Sequence, residues 1–263
     1  MTTVTLGRGA IVVADPPVGL KDELTYWKRE LGFDAKKHMR TMKGHYENLY
    51  TLQRNVLTTL PGFGHRILSH LRKSGTPFSV VDNRSPMPQP NLELACTGAR
   101  DNQLEPILQA LLSGGGIISL PTGYGKSFIS AALIRAFDPE ALKLRGTPTC
   151  VFAAPDKDIN RKNWEAFVRY FPEREVGLVM SGVKKFSDDI QIITLDSLHL
   201  LNPDDVGVLI VDEVHTAAST GRSEVLSKFN KAIRFGVSAT PTGRFDGSDL
   251  LTEGLFGPVI VRR

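Results

Sequence analysis

Near-continuous apolar runs recur along the C-terminal two-thirds of the chain, at 117–120, 149–154, 176–180, 190–195, 207–211, 234–238 and 258–261. Stretches with helical spacing of apolar residues lie at 104–112, 126–137, 157–170 and 221–231. A run such as Val206-Gly207-Val208-Leu209-Ile210-Val211 has no polar alternation, so it predicts a strand covered on both faces. Strands alternating with helices predict a parallel, doubly wound α/β sheet with right-handed crossovers. Ligands of such sheets bind beyond the carboxyl ends of the strands.

The N-terminal third has a different rhythm. Residues 9–13, 49–57 and 77–81 predict short strands. Leu20, Leu24, Trp27 and Leu31 fall at helical spacing and predict a helix over 20–31. A second helix opens after Leu60-Pro61-Gly62-Phe63-Gly64, with Ile67, Leu68 and Leu71 as its apolar face, and ends near Gly75. Between them Lys36, Lys37, His38, Met39, Arg40 and Lys43 form a basic, irregular stretch, read either as phosphate-contacting or as a solvated loop. Pro86, Pro88 and Pro90 interrupt 83–91, which reads as a linker. The expected organisation is a small α/β module over 1–90 followed by a larger α/β domain over 91–263.

Charge sharpens that division. The formal net charge is +4, and residues 1–95 hold 13 Lys and Arg against 8 Asp and Glu, so the positive excess lies in the N-terminal third. A polyanion partner is one reading and a soluble basic face the other. Cys96 and Cys150 stand alone, which suggests neither a disulfide framework nor a zinc site. His38, His45, His65 and His70 match no metal-ligand spacing. No apolar run reaches the ~20 residues of a membrane span, no signal-peptide pattern opens the chain, and a reducing, cytoplasmic setting is the expectation.

The chemistry concentrates at predicted strand ends. Leu120-Pro121-Thr122-Gly123-Tyr124-Gly125-Lys126-Ser127 joins an apolar run to a helical one, the order a phosphate-binding loop requires. Glycines at 123 and 125 let the backbone approach an anion, and the helix N-terminus adds its positive end. Lys126 is placed to reach terminal phosphates and the Ser127 hydroxyl to ligate Mg²⁺. Leu120 departs from the general pattern, which has glycine there, and a glycine-rich turn followed by chance by Lys-Ser is the alternative. Val211-Asp212-Glu213-Val214-His215 then ends another apolar run, with Asp212 suited to hold Mg²⁺ and Glu213 to orient and deprotonate water. Ser238-Ala239-Thr240-Pro241 ends the next; its hydroxyls are expected to bond His215 or the acidic pair.

Taken together, residues 121–127, 212–215 (Asp-Glu-Val-His) and 238–240 (Ser-Ala-Thr) closely resemble motifs I, II and III of superfamily 2 helicases. In that family the first loop glycine is commonly missing. The resemblance implies a RecA-like ATP-binding lobe with ATP and Mg²⁺ as cofactors. It assigns Lys126, Asp212 and Glu213 to catalysis. Arg100, Gln103, Thr122, Gly123, Tyr124, Gly125, Lys126 and Ser127 fall to the nucleotide, with Gln103 on the adenine edge. Ser127 and Asp212 fall to the metal, and His215, Ser238 and Thr240 to coupling. Val151–Pro155 with Lys157, and Thr194–Leu198, resemble motifs Ia and Ib, so Pro155, Lys157, Thr194 and Ser197 are implied contacts to one nucleic-acid strand.

The entry Arg100-Asp101-Asn102-Gln103 and the small basic module resemble the UvsW/XPB-like branch, whose members remodel forked or damaged DNA. That implies DNA (forked, branched or single-stranded) as partner, with RNA as the alternative track, and allows a phage-encoded chain in a bacterial host. Motors of this superfamily pair two RecA-like lobes. Residues 256–258 sit where the first ends, so the second is expected in trans or lost by truncation, and the isolated chain is expected to hydrolyse ATP slowly. Rival readings are a non-catalytic module that binds nucleic acid or a partner, an RNA helicase, or a restriction-type translocase subunit.

Overall fold

The computed structural model describes residues 1–34, 39–243 and 246–263. Two compact units are present, Met1–Arg84 with Thr242–Gly257, and Ser85–Pro241 with Pro258–Arg263.

In the first unit β1 (Thr2–Leu6), β2 (Ile11–Ala14), β3 (Thr25–Asp34), β4 (Met39–Asn48), β5 (Tyr50–Gln53), β6 (Val56–Thr59), α1 (Gly64–Lys73) and β7 (Phe78–Asp82) follow in order. Five strands form a sheet in the order β5-β6-β2-β1-β7, with only β1 and β7 parallel. Val4, Ile11, Val13 and Leu57 alternate with half-exposed neighbours and pack against Phe63, Ile67 and Leu71. Each large apolar side chain so buried contributes about 1.5–3 kcal/mol.

Three expectations for this unit need correction. The helix over 20–31 is absent: a 3₁₀ turn at Asp22–Leu24 leads directly into β3. Leu20 and Leu24 are buried as their spacing suggested, but Thr25, Tyr26 and Trp27 favour extended backbone, and β4 supplies a full antiparallel partner from Thr25↔Asn48 to Asp34↔Met39. The basic stretch is not irregular where it is described, since Arg40 and Lys43 lie in β4; Lys36, Lys37 and His38 lie outside the described residues. The single strand over 49–57 is a hairpin, β5–β6, turned by Arg54 and Asn55 at φ 47° and 64°.

The second unit contains α2 (Leu92–Cys96), α3 (Asp101–Ser113), β8 (Gly116–Ser119), α4 (Lys126–Arg135), α5 (Pro139–Leu144), β9 (Thr149–Ala154), α6 (Lys157–Tyr170), β10 (Val176–Met180), β11 (Val183–Lys185), β12 (Ile190–Thr194), β13 (Val206–Asp212), α7 (Thr220–Leu226) and β14 (Ile233–Ser238). After Pro241 the chain passes through the first unit, where it forms α8 (Asp249–Phe256), and returns to finish with β15 (Val259–Arg262). The sheet order is β11-β10-β12-β9-β13-β14-β8-β15, and only the β10–β11 pairing is antiparallel. Every residue of β9, β10, β12, β13 and β14 is buried, so both sheet faces are covered, as the unbroken apolar runs required.

The segment Thr242–Gly257 belongs to the first unit, so the second is not continuous in sequence. The cause is packing. Leu250 joins the core of the first unit, and a Cβ at Gly254 would meet the Phe63 ring at 2.7 Å. Arg66 Nε and Nη2 grip the Glu253 carboxylate at 2.9 and 2.8 Å.

Candidate functional site

The carboxyl edge of the second unit's sheet carries the site residues singled out in the sequence, except Arg100 and Gln103, which come from the start of α3. Crossing it from β12 to β8, Thr194 ends β12, and Pro155 and Lys157 follow β9. Asp212 and Glu213 end β13, Ser238 ends β14, and the loop 120–125 leaves β8. Parallel registers hold those ends level: Thr194 lies beside Ala154, Asp212 beside Val237, and Ser238 beside Ser119. The Leu120 N–H donates to the Ser238 carbonyl at 3.0 Å, tying the root of the glycine loop to the neighbouring strand end.

The loop turns on positive-φ glycines, Gly123 at 82° and Gly125 at 95°, and Gly125 immediately precedes the first turn of α4. Two side chains from the start of α3 converge on the loop's back. Arg100 Nη2 and Gln103 Nε2 donate to the Tyr124 carbonyl at 2.6 and 3.0 Å, and the Tyr124 hydroxyl donates to the Asn102 carbonyl. Gln103 is buried, and its Oε1 accepts from the Arg100 N–H at 3.1 Å. A Cβ at Gly125 would lie 2.7 Å from Arg100 Nη2, so the loop closes against these side chains only because residue 125 has none.

The acidic pair is built differently. Asp212 is 9% exposed, and burial pushes its carboxyl up to about 6. The Glu213 N–H, donated to Asp212 Oδ1 at 3.0 Å, opposes that rise; the Glu213 carboxylate adds to it, and the Lys126 ammonium also pulls it back. Lys126 and Asp212 thus share one electrostatic neighbourhood. Glu213 sits at φ 48°, a left-handed conformation unusual for a residue with a side chain, and this turns its carboxylate along the strand ends. Ser238 Oγ donates to Glu213 Oε2 at 3.1 Å, His215 Nδ1 lies 3.1 Å from Ser238 Oγ and 3.4 Å from Glu213 Oε2, and the Thr240 N–H donates to Ser238 Oγ at 3.2 Å. Glu213, His215, Ser238 and Thr240 form one hydrogen-bonded group.

Two participants escape a sequence reading. The Ser127 hydroxyl donates to Asn163 Oδ1, on α6. Asn160 and Asn163 are buried on the same face of α6 as Phe167, and polar residues in an inward helical register are the signal that marks them. Arg222 donates to both Asp196 carboxylate oxygens and to the Thr216 carbonyl, joining the 3₁₀ segment Leu195–Leu200 to the segment Val214–Ala218 that follows the acidic pair. No local pattern foretells that tie. Thr194 Oγ1 donates to Ser197 Oγ at 2.8 Å, so both implied strand contacts belong to one turn.

Residues 100–243 match the family described as type III restriction enzyme, res subunit, which is more than half of the chain. The chain belongs to this family. It carries a RecA-like lobe of the superfamily 2 helicase type. Over 168 residues it is 29% identical to the DNA 3'-5' translocase XPB2 of Sulfurisphaera tokodaii, an alignment covering 62% of this chain and 35% of that protein. The ATP-dependent DNA helicase MPH1 of Candida glabrata is 24% identical over 175 residues, covering 59% of this chain and 16% of that one. The chain thus spans about a third or less of these relatives. In fold it is similar to the UvsW helicase of bacteriophage T4, with a TM-score of 0.69 at 15% identity over 98% of both chains. Against a second T4 UvsW structure the TM-score is 0.72 at 17% identity, over 98% of this chain and 56% of that one.

Members of this family are ATP-dependent, and the residues here suit a magnesium nucleotide. Among the described residues no group of three or more His, Cys, Asp or Glu side chains could hold a metal by itself. Mg²⁺ in phosphate chemistry is commonly bound through one or two protein oxygens, with phosphate and water completing the shell. Asp212 and the Ser127 hydroxyl offer such oxygens, and the glycine loop, with Gly123 and Gly125 at positive φ, leads into the N-terminus of α4.

Proposed function

We propose that this chain is the ATP-hydrolysing lobe of a DNA helicase or translocase that remodels branched or duplex DNA, with a nucleic-acid-binding module over its first 90 residues. The observation that supports the reading is the gathering of Lys126, Asp212 and Glu213 at the carboxyl ends of β8 and β13, the two strands that flank β14, with Lys126 acting electrostatically on the buried Asp212. Lys126 and the amides of 123–127 hold the terminal phosphates, and Gln103 and Arg100 flank the base. Ser127 and Asp212 would hold Mg²⁺, which neutralises phosphate charge when bound. Glu213 takes the proton of the attacking water, and Ser238 and His215 fix its carboxylate. Because Ser238 also bonds the Thr240 N–H, a change at Glu213 on phosphate loss moves the segment that leaves β14. Pro155, Lys157, Thr194 and Ser197, along the β9–β12 end of the same edge, take the backbone of one DNA strand.

Full activity in this reading calls for a second RecA-like lobe supplying arginines, worth roughly 10³–10⁵ in rate. The test is ATP turnover with and without forked DNA, with and without a candidate second lobe. Lys126→Ala should abolish nucleotide binding. Glu213→Gln should retain binding and lose hydrolysis; equal loss of both argues against Glu213 as the base. The matched family's description favours a second reading, a restriction-type translocase subunit. Stimulation by unbranched duplex in preference to forks would select it.

A further inference from the structure

We propose that one face of the β3–β4 ribbon binds an unpaired nucleotide by stacking its base on Trp27. This rests on the reading of the N-terminal module as a nucleic-acid binder and names the surface and the form of the ligand.

The ribbon is a two-stranded sheet apart from the five-stranded one. Leu49 N–H donates to the Leu24 carbonyl at its base, Thr25 Oγ1 to Asn48 Oδ1, and Arg29 N–H to the Asp246 carbonyl. Directly paired residues share a face, so Trp27 with Tyr46, Arg29 with Gly44, and Met42 line one side. All five are exposed: Trp27 by 47%, Met42 by 56% and Tyr46 by 72%, with Arg29 and Gly44 open as well. The opposite side is different. There Tyr26 is buried, and Lys28 is paired with Glu47 at 2.8 Å.

The exposed face holds its tryptophan in place. A Cβ at Gly44 would fall 2.6 Å from Trp27 Nε1 and Cζ2, so the indole lies over the glycine backbone and depends on the missing side chain. Tyr46 meets it edge-on, with ring centroids 4.9 Å apart and planes at 74°. A ring supported beneath by backbone and braced at its edge has little conformational freedom left to lose when a base stacks on it. Large aromatics this exposed are uncommon in a folded chain and mark interaction surfaces.

Charge selects the occupant. The two strands hold Lys28, Arg29, Arg40 and Lys43 against Glu30, Asp34 and Glu47, and the sequence between them adds Lys36 and Lys37 with no further acid. An apolar protein partner has no use for that excess, whereas a single strand needs both features, stacking for its bases and cations for its phosphates. Paired bases hide their faces, so the platform distinguishes unpaired from duplex segments.

The two tryptophans make the test direct. Trp164 is half-buried, its indole N–H held by the Val176 carbonyl, so Trp164→Phe leaves Trp27 as the sole tryptophan reporter. That variant of the full chain is titrated at one salt concentration with oligothymidylate, oligouridylate, a blunt duplex and heparin. The single strands should quench Trp27, the better of the two identifying DNA or RNA as the source, while duplex and heparin bind with little quenching. Trp27→Ala in the wild-type background should weaken single-strand binding about tenfold or more, given the usual worth of base stacking, and Trp27→Phe should restore most of it. Unchanged single-strand affinity in Trp27→Ala, or equal quenching by duplex, overturns the stacking site and leaves the nucleic-acid reading standing. Failure of the wild-type chain to bind any nucleic acid while it still binds nucleotide overturns both.

Discussion

Replacing Glu253 by glutamine isolates the contact that holds the returning segment Thr242–Gly257 in the first unit. The carboxylate accepts from Arg66 Nε at 2.9 Å and Nη2 at 2.8 Å, and His65 Nε2 lies 3.1 Å from Oε1. Burial raises its pKa, but the hydrogen bonds from His65 and Arg66 and the Arg66 charge more than reverse this and hold the carboxyl at about 2, against 4.5 unperturbed. At 1.36 kcal/mol per unit that difference is worth about 3 kcal/mol. The side chain is 20% exposed and that of Arg66 30%, so screening reduces the net loss in Glu253→Gln to about 2 kcal/mol. A folded-state pKa below the unfolded one stabilises the protein above the unfolded value and fades as pH falls through the folded one. The contribution is therefore complete above pH 4.5 and disappears towards pH 2. Denaturant unfolding of wild type and variant, followed by a probe in the first unit at pH 7 and at steps down to pH 3, should show a gap of about 2 kcal/mol that narrows only below about pH 4.5. A gap under about 0.5 kcal/mol at pH 7, or one that is constant with pH, refutes the reasoning.

Two further perturbations probe the site itself. Gly125→Ala places a methyl group at φ 95° and against Arg100 and Gln103, so nucleotide affinity should fall at least about tenfold in equilibrium titration, with a lower melting temperature from the strained loop. Asp212, raised to about 6, must be ionised to hold Mg²⁺, so magnesium-dependent turnover should decline as pH drops through about 6; a flat profile from pH 5 to 8 would contradict the assignment.

The chemistry of the site is legible because each motif ends a strand that is buried on both faces. An unbroken apolar run leaves its first polar residues nowhere to sit except beyond the strand end. Asp212 at the last position of β13, Glu213 just beyond it and Ser238 at the end of β14 are therefore placed by burial before any partner is known. What the sequence does not carry is adjacency. β8 lies beside β14, which is more than a hundred residues later, and β9 lies between β12 and β13. Local periodicity says nothing of that order. Asn163 and Arg222 act through it and so stay hidden, the first in an α6 turn facing Ser127, the second in α7 facing Asp196.

The first unit is harder to read for a related reason. Its strands are short and half-exposed, so their apolar residues are few enough to fit two periodicities. Leu20, Leu24, Trp27 and Leu31 satisfy a helical spacing, yet Tyr26 is buried and Trp27 exposed, the alternation of a strand. The choice is made outside the segment, by the ten-residue register with β4. The same holds for α8, whose Gly254 and Leu250 have meaning only against Phe63 and its neighbours, nearly two hundred residues earlier. Where a strand is buried on both faces the sequence alone carries the decision; where it is half-exposed the tertiary partner decides. The ribbon is the extreme case, since the face that matters most there is the one no core ever covers.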